Sequence, residues 1–116
     1  MTEAAFRSIA LDLPDAEERE HMDHPDFRVK GKIFATLHSP EKGWGMVKLP
    51  PAEQKRYLKK HPGVFVPAKG AWGAAGCTHV HLKTVDRATL KRVILAAWRN
   101  TAPKRLVEEL GPKDTE

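Results

Sequence analysis

Residues 27–38, FRVKGKIFATLH, constrain this chain more than any other stretch. Two short runs of β-branched and aromatic residues flank Lys30-Gly31, and Gly31 tolerates the positive φ that a two-residue turn requires. A tight hairpin over 27–29 and 32–38 follows, and a hairpin commits the fold to antiparallel pairing. Alternation sets Ile33, Ala35 and Leu37 on one side and Phe34, Thr36 and His38 on the other. Residues 40–43 make the next turn. Residues 44–49 form the following strand, with Val47 and Leu49 opposite Trp44, Met46 and Lys48.

Helices surround this meander. Over 2–13, Thr2 can cap, Glu3 suits the positive end, and Phe6, Ile9, Ala10 and Leu13 fall on one face. Pro14 ends that helix. In 16–22 the run EERE favours helix, but its place before HPDF favours an edge strand, and we read it as a strand. Pro50-Pro51 stops the meander, and Pro51 is suited to start a helix over 52–60 whose KRYLKK is largely solvated. His61-Pro62-Gly63 ends it. Residues 64–66 read as a short strand, 67–76 as a loop, and 78–83 as a strong strand with Thr78, Val80 and Leu82 inward. Asp86 caps a last long helix, in which Leu90, Val93, Ile94, Ala97, Trp98 and Thr101 share a face. Pro103 either kinks that helix or starts a new turn, and Gly111-Pro112 supplies the stop. The expected fold is one α/β (α+β) domain over 1–116, an antiparallel β-sheet with helices packed on one face.

A chain of 116 residues is long enough to bury roughly two thirds of the surface that its unfolded form exposes. No apolar run approaches the ~20 residues that cross a bilayer. The first twenty residues carry acids where a secretory signal needs a basic start, so a cytoplasmic protein is expected. A single cysteine, Cys77, excludes an internal disulfide and a thiolate zinc cluster. The net charge of +5 hides a division: residues 1–27 sum to −6, residues 28–105 to +14, and the tail from Leu106 to −3. A middle this basic attracts polyanions.

KGAWGAAGCTHVHL, residues 69–82, holds the densest set of chemical suggestions. Its glycines lead into a strand, whereas a nucleotide loop leads into a helix N-terminus, so a P-loop is excluded. Gly73-Ala-Ala-Gly76 matches the bare GXXG of KH domains, but there it lies between helices and here strands flank it. His79 and His81 share a sheet face with Cys77 and could begin a metal site, yet they lack a defined third ligand. Iron binding by the acids of the first segment meets the same objection, because they are scattered. Cys77 and His79 are two residues apart on a strand, roughly 6–7 Å, too far for a nucleophile and its base to bond directly. No catalytic residue, metal ligand or cofactor is therefore expected.

The pieces HPDFRVKGKIFATL, GWGMVKLPPAEQKRYLKKHPGVFVPAKGAWG and AWRNTAPKRL together resemble the MmcQ/YjbR family, over residues 16 to about 110. The resemblance implies a CyaY/frataxin-like, double-wing domain, and members of that family are described as DNA-binding. Its motif falls here on Phe27, Gly31, Lys32, Phe34, Pro62, Gly63, Lys69, Trp72 and Trp98, of which Lys32, Lys69 and Trp72 have side chains suited to a ligand surface. The expected function is binding of nucleic acid, DNA in the first place, by a monomer. The contacts expected are backbone contacts from Lys32, Lys55, Arg56, Lys59, Lys60, Lys69, Trp72, Lys91 and Arg92. The competing expectation is a protein or small-ligand interaction module built around the Trp72 loop.

Overall fold

A computed structural model describes residues 1–111. The elements in chain order are α1 (Glu3–Leu11), β1 (Ala16–His21), β2 (His24–Val29), β3 (Lys32–Leu37), β4 (Trp44–Lys48), α2 (Pro51–Lys60), β5 (Phe65–Pro67), α3 (Gly70–Ala74), β6 (Cys77–His81), α4 (Arg87–Thr101) and α5 (Lys104–Leu110). The strands form one antiparallel sheet in the order β1-β2-β3-β4-β6-β5.

Directly paired residues of an antiparallel sheet share a face. Phe27, Ala35, Val47 and Thr78 form one such row, and Leu37, Gly45, Val80 and Phe65 another. These rows face the core, where Phe6, Ile9 and Ala10 of α1 meet Leu90, Val93, Ile94, Ala97 and Trp98 of α4. The Phe6 ring lies on β4 at Gly45, where an added Cβ would stand 2.6 Å from it. Trp98 is fully buried, and its indole N–H donates to the Pro14 carbonyl at 3.0 Å, which ties α4 to the end of α1. The caps are the expected ones: Thr2 Oγ1 accepts from the Ala5 N–H, and Asp86 Oδ1 from the Thr89 N–H.

The sequence expectations need two adjustments. Phe34 does not point away from Ala35. The β2–β3 register runs Phe27↔Ala35 and then Arg28↔Ile33, so Phe34 is the extra residue of a β-bulge. A bulge breaks the two-residue period, and both Phe34 and Ala35 are fully buried. Second, the segment 67–76 is not all loop, because Gly70–Ala74 closes one helical turn as α3. Of the two alternatives at Pro103 the second holds, because a new helix, α5, follows it after Ala102 has left helical geometry. The Pro112 half of the expected stop, and the tail beyond it, lie outside the described residues.

Gly73 and Gly76 are read here as packing residues. A Cβ on Gly73 would lie 1.8 Å from the Ala68 carbonyl oxygen. Gly76 sits at φ +112°, and a Cβ there would lie 1.7 Å from the Leu49 carbonyl oxygen. The Gly76 carbonyl in turn accepts the Leu49 N–H at 3.2 Å, so backbone meets backbone where α3 hands over to β6. Gly76→Ala should lower the unfolding free energy by about 3 kcal/mol or more. Denaturant unfolding measures this, and a loss below about 1 kcal/mol would contradict the close approach.

Candidate nucleic-acid interface

The helix α2 begins at Pro51, whose fixed φ and missing N–H suit a first helical position. Its inward face is set by Gln54 and Tyr57. The buried Gln54 amide donates to the carbonyls of Gly73 (3.0 Å) and Cys77 (3.1 Å), which clamps α2 against α3 and β6. Tyr57 meets Phe65 edge-on at 5.2 Å. With that side turned in, Lys55, Arg56, Lys59 and Lys60 all come out exposed. Lys59 and Lys60 lie in the last turn, where cations suit the helix dipole. Arg56 reaches Glu53 only at 3.5 Å, and Arg56 itself is largely exposed.

Because Gln54 holds α3 beside α2, Lys69 and Trp72 join this surface. Lys69 is the exposed residue before α3, and Trp72 is 69% exposed in its middle. The tight seat of Gly73 turns the neighbouring tryptophan outward. Residues 54–85, which form most of this edge, contain six Lys and Arg and no Asp or Glu.

The other expected cations lie elsewhere. Lys32 opens β3, which β4 and β6 separate from β5. Lys91 and Arg92 sit on α4, and Arg92 Nη2 lies 3.4 Å from Thr89 Oγ1. Acids gather at the far edge, where β1 carries Glu17, Glu18 and Glu20. There Arg7 pairs with Glu18 (2.7 Å) and Arg19 with Glu17 (3.0 Å). Five strand spacings, roughly 24 Å, separate this acidic edge from the basic one.

The sheet face away from the helices is the polar one. One row across it reads Arg19, Asp26, Thr36, Met46, His79 and Val66. His79 Nδ1 donates to the Ser39 carbonyl at 3.0 Å, and burial holds its pKa below the ordinary imidazole value. His81 stacks on Trp44 with centroids 4.4 Å apart. Burial pushes the Cys77 thiol up. Among the described residues no three of His, Cys, Asp and Glu gather as a metal-ligand group. A cleft of about 580 Å³ lies between Pro50 and Glu53 of the α2 start, Asn100 of α4 and Val107 of α5, and Trp72 does not line it.

Sequence reasoning passed over Asp26. It is fully buried on the open face, where it accepts from Arg28 Nε (2.8 Å), Arg28 Nη2 (3.0 Å) and His21 Nδ1 (2.8 Å). The available signal was an aspartate inside a strand, a place where that residue is depleted. Burial pushes its carboxyl up, but the hydrogen bonds and charges of Arg28 and His21 outweigh that and hold it below the usual range. The folded pKa is depressed, so this contribution to stability is full above the unfolded value near 4 and is lost as pH falls through the folded value. Asp26→Asn should cost about 2 kcal/mol at neutral pH, and the gap to the wild type should close on acidification below about pH 4. Unfolding curves across pH test this, and a gap that does not change with pH would contradict it.

Comparison with known proteins places this geometry in a family. No curated protein matches the chain. The crystal structure of Deinococcus radiodurans protein DR2400, a DUF419 domain, has the same fold: TM-score 0.76, 20% identity, covering 99% of this chain and 91% of that one. Among the described residues no helix is long and apolar enough to cross a membrane. The YjbR family model matches residues 11–100. A hairpin-led six-stranded sheet under α1 and α4, matched by that model over most of its length, makes this chain a member of the MmcQ/YjbR family, whose function is not established.

Proposed function

We propose that this protein binds nucleic acid through its phosphate backbone, at the edge built by α2 and α3. The observation that carries the reading is the exposure of Lys55, Arg56, Lys59 and Lys60 on α2 together with exposed Lys69 and Trp72 at α3, the helix that Gln54 ties to α2, within residues 54–85 that hold no acid. Each phosphate that such a surface neutralises releases condensed counterions, so affinity comes from salt-sensitive contacts that do not depend on base sequence. Trp72 adds an aromatic face on which an unpaired base can stack. DNA is the partner that the family resemblance implies. The acids Glu17, Glu18 and Glu20 lie on the far edge strand, away from these cations.

Fluorescence anisotropy with a labelled duplex, titrated across salt concentrations, tests the reading. Log affinity should fall linearly with log salt, with a slope of about −0.9 per phosphate contacted. The combined Lys55→Ala, Arg56→Ala and Lys59→Ala variant should flatten that slope by about two to three. Absence of binding at about 20 mM salt, where such contacts are strongest, would overturn it.

A further inference from the structure

The six histidines of this chain include four that share the open sheet face: His21, His24, His79 and His81. His21 and His24 form the last pair of the β1–β2 hairpin. The two residues of its turn, Met22 (φ 48°) and Asp23 (φ 66°), both adopt left-handed geometry without a glycine. Two positive φ values in succession are the geometry of a tight two-residue hairpin turn, which Asp23 tolerates. The turn holds the two imidazoles opposite each other, ring centroids 5.9 Å apart.

Beneath them lies the buried Asp26 carboxylate. It takes the Nδ1 proton of His21, so Nε2 is the nitrogen of that exposed ring that can exchange protons with a substrate. Asp26 also grips Arg28 by Nε and Nη2, which leaves Nη1 as the remaining nitrogen of the guanidinium fork. His24 Nδ1 is buried and has no hydrogen-bond partner.

This end of the sheet leads back to the basic edge. From the hairpin tip it passes Trp44 and His81, stacked on each other, and then Val64, whose carbonyl accepts the His81 N–H at 2.8 Å. Beyond Val64 the surface turns around the β5 edge to His61, packed on the core-side Phe65 at 5.8 Å, and the Lys59–Lys60 end of α2. A single strand that wraps this edge meets cations first, then aromatic faces, then the two imidazoles.

We infer that the strand is RNA and that His24, His21 and Arg28 cleave it. The inference rests on the nucleic-acid reading above. Two opposed imidazoles and a guanidinium can move protons and balance charge, but the nucleophile must come from the substrate. The 2′-hydroxyl of RNA is such a nucleophile, and DNA lacks it. His24 takes the 2′-hydroxyl proton while O2′ bonds to phosphorus. The P–O5′ bond breaks, and His21 Nε2 gives its proton to O5′. The products are a 2′,3′-cyclic phosphate and a 5′-hydroxyl. One proton enters the protein and one leaves, no electrons are transferred, and solvent exchange resets the pair. Arg28 faces the charge that builds on the phosphoryl oxygens.

The test incubates the purified full chain with end-labelled single-stranded RNA and DNA of one sequence, in the presence of a metal chelator. Binding is read by anisotropy on the same samples. RNA should be cut to 2′,3′-cyclic phosphate ends while DNA stays intact. His24→Ala and His21→Asn should each slow cleavage by about a hundredfold or more, a far larger loss than any they cause in affinity. His21→Asn keeps an N–H donor for Asp26 and so guards against mere unfolding. RNA that is bound but left intact would overturn this inference alone, as would cleavage that both variants retain in full. RNA that is not bound at low salt would overturn the nucleic-acid reading with it.

Discussion

The ring of Phe6 resting on the bare backbone of Gly45 is the contact on which the architecture depends. With a methyl group at position 45 the ring would have to lift, because 2.6 Å is well inside van der Waals contact. Seated there, Phe6 also meets Phe27 at 5.7 Å and brings α1 against α4. Trp98 fastens the pair through the Pro14 carbonyl. The apolar side of the sheet is thereby closed by helices, and the histidines of β1, β2 and β6 are left on the other face.

That division organises the charge as well. The acids of the first segment end on β1, an edge strand on which charged side chains guard the unpaired backbone from other sheets. Five cations of the middle segment, Lys55, Arg56, Lys59, Lys60 and Lys69, end on α2 and before α3 at the opposite edge, while others lie on β2, β3 and α4. The histidine-bearing end of the sheet joins the two edges.

Much of this was legible in the chain itself. Lys30-Gly31 announced its hairpin because a two-residue turn has few solutions, and Lys30 (φ 50°) and Gly31 (φ 80°) adopt the expected one. The caps at Thr2 and Asp86 were legible for the same reason, being local hydrogen bonds with few alternatives. The α2 cations were readable because one helix face carries them all. What was not legible is what other elements impose. Phe34 turns inward at a bulge that only its partner strand defines. The Met22-Asp23 turn carries Asp23, which tolerates left-handed backbone, but no glycine, so its local signal is weak. Gly73 and Gly76 suggested a ligand loop, and their reason became visible only when Ala68 and Leu49 were found against them. The separation of Lys32 from Lys69 follows from strand order, to which spacing in sequence is blind.

The central claim is that one side of the molecule, from the α2–α3 edge along the histidine-bearing end of the sheet, is the nucleic-acid surface. Backbone amide shifts recorded by NMR while an oligonucleotide is titrated at low salt test it most directly. The account predicts shifts concentrated in α2, around Lys69 and Trp72, at His81 and at the His21–His24 turn, with Ala16 to Glu18 of β1 silent. Shifts confined to Ala16 to Glu18, or spread evenly over the protein, would contradict it.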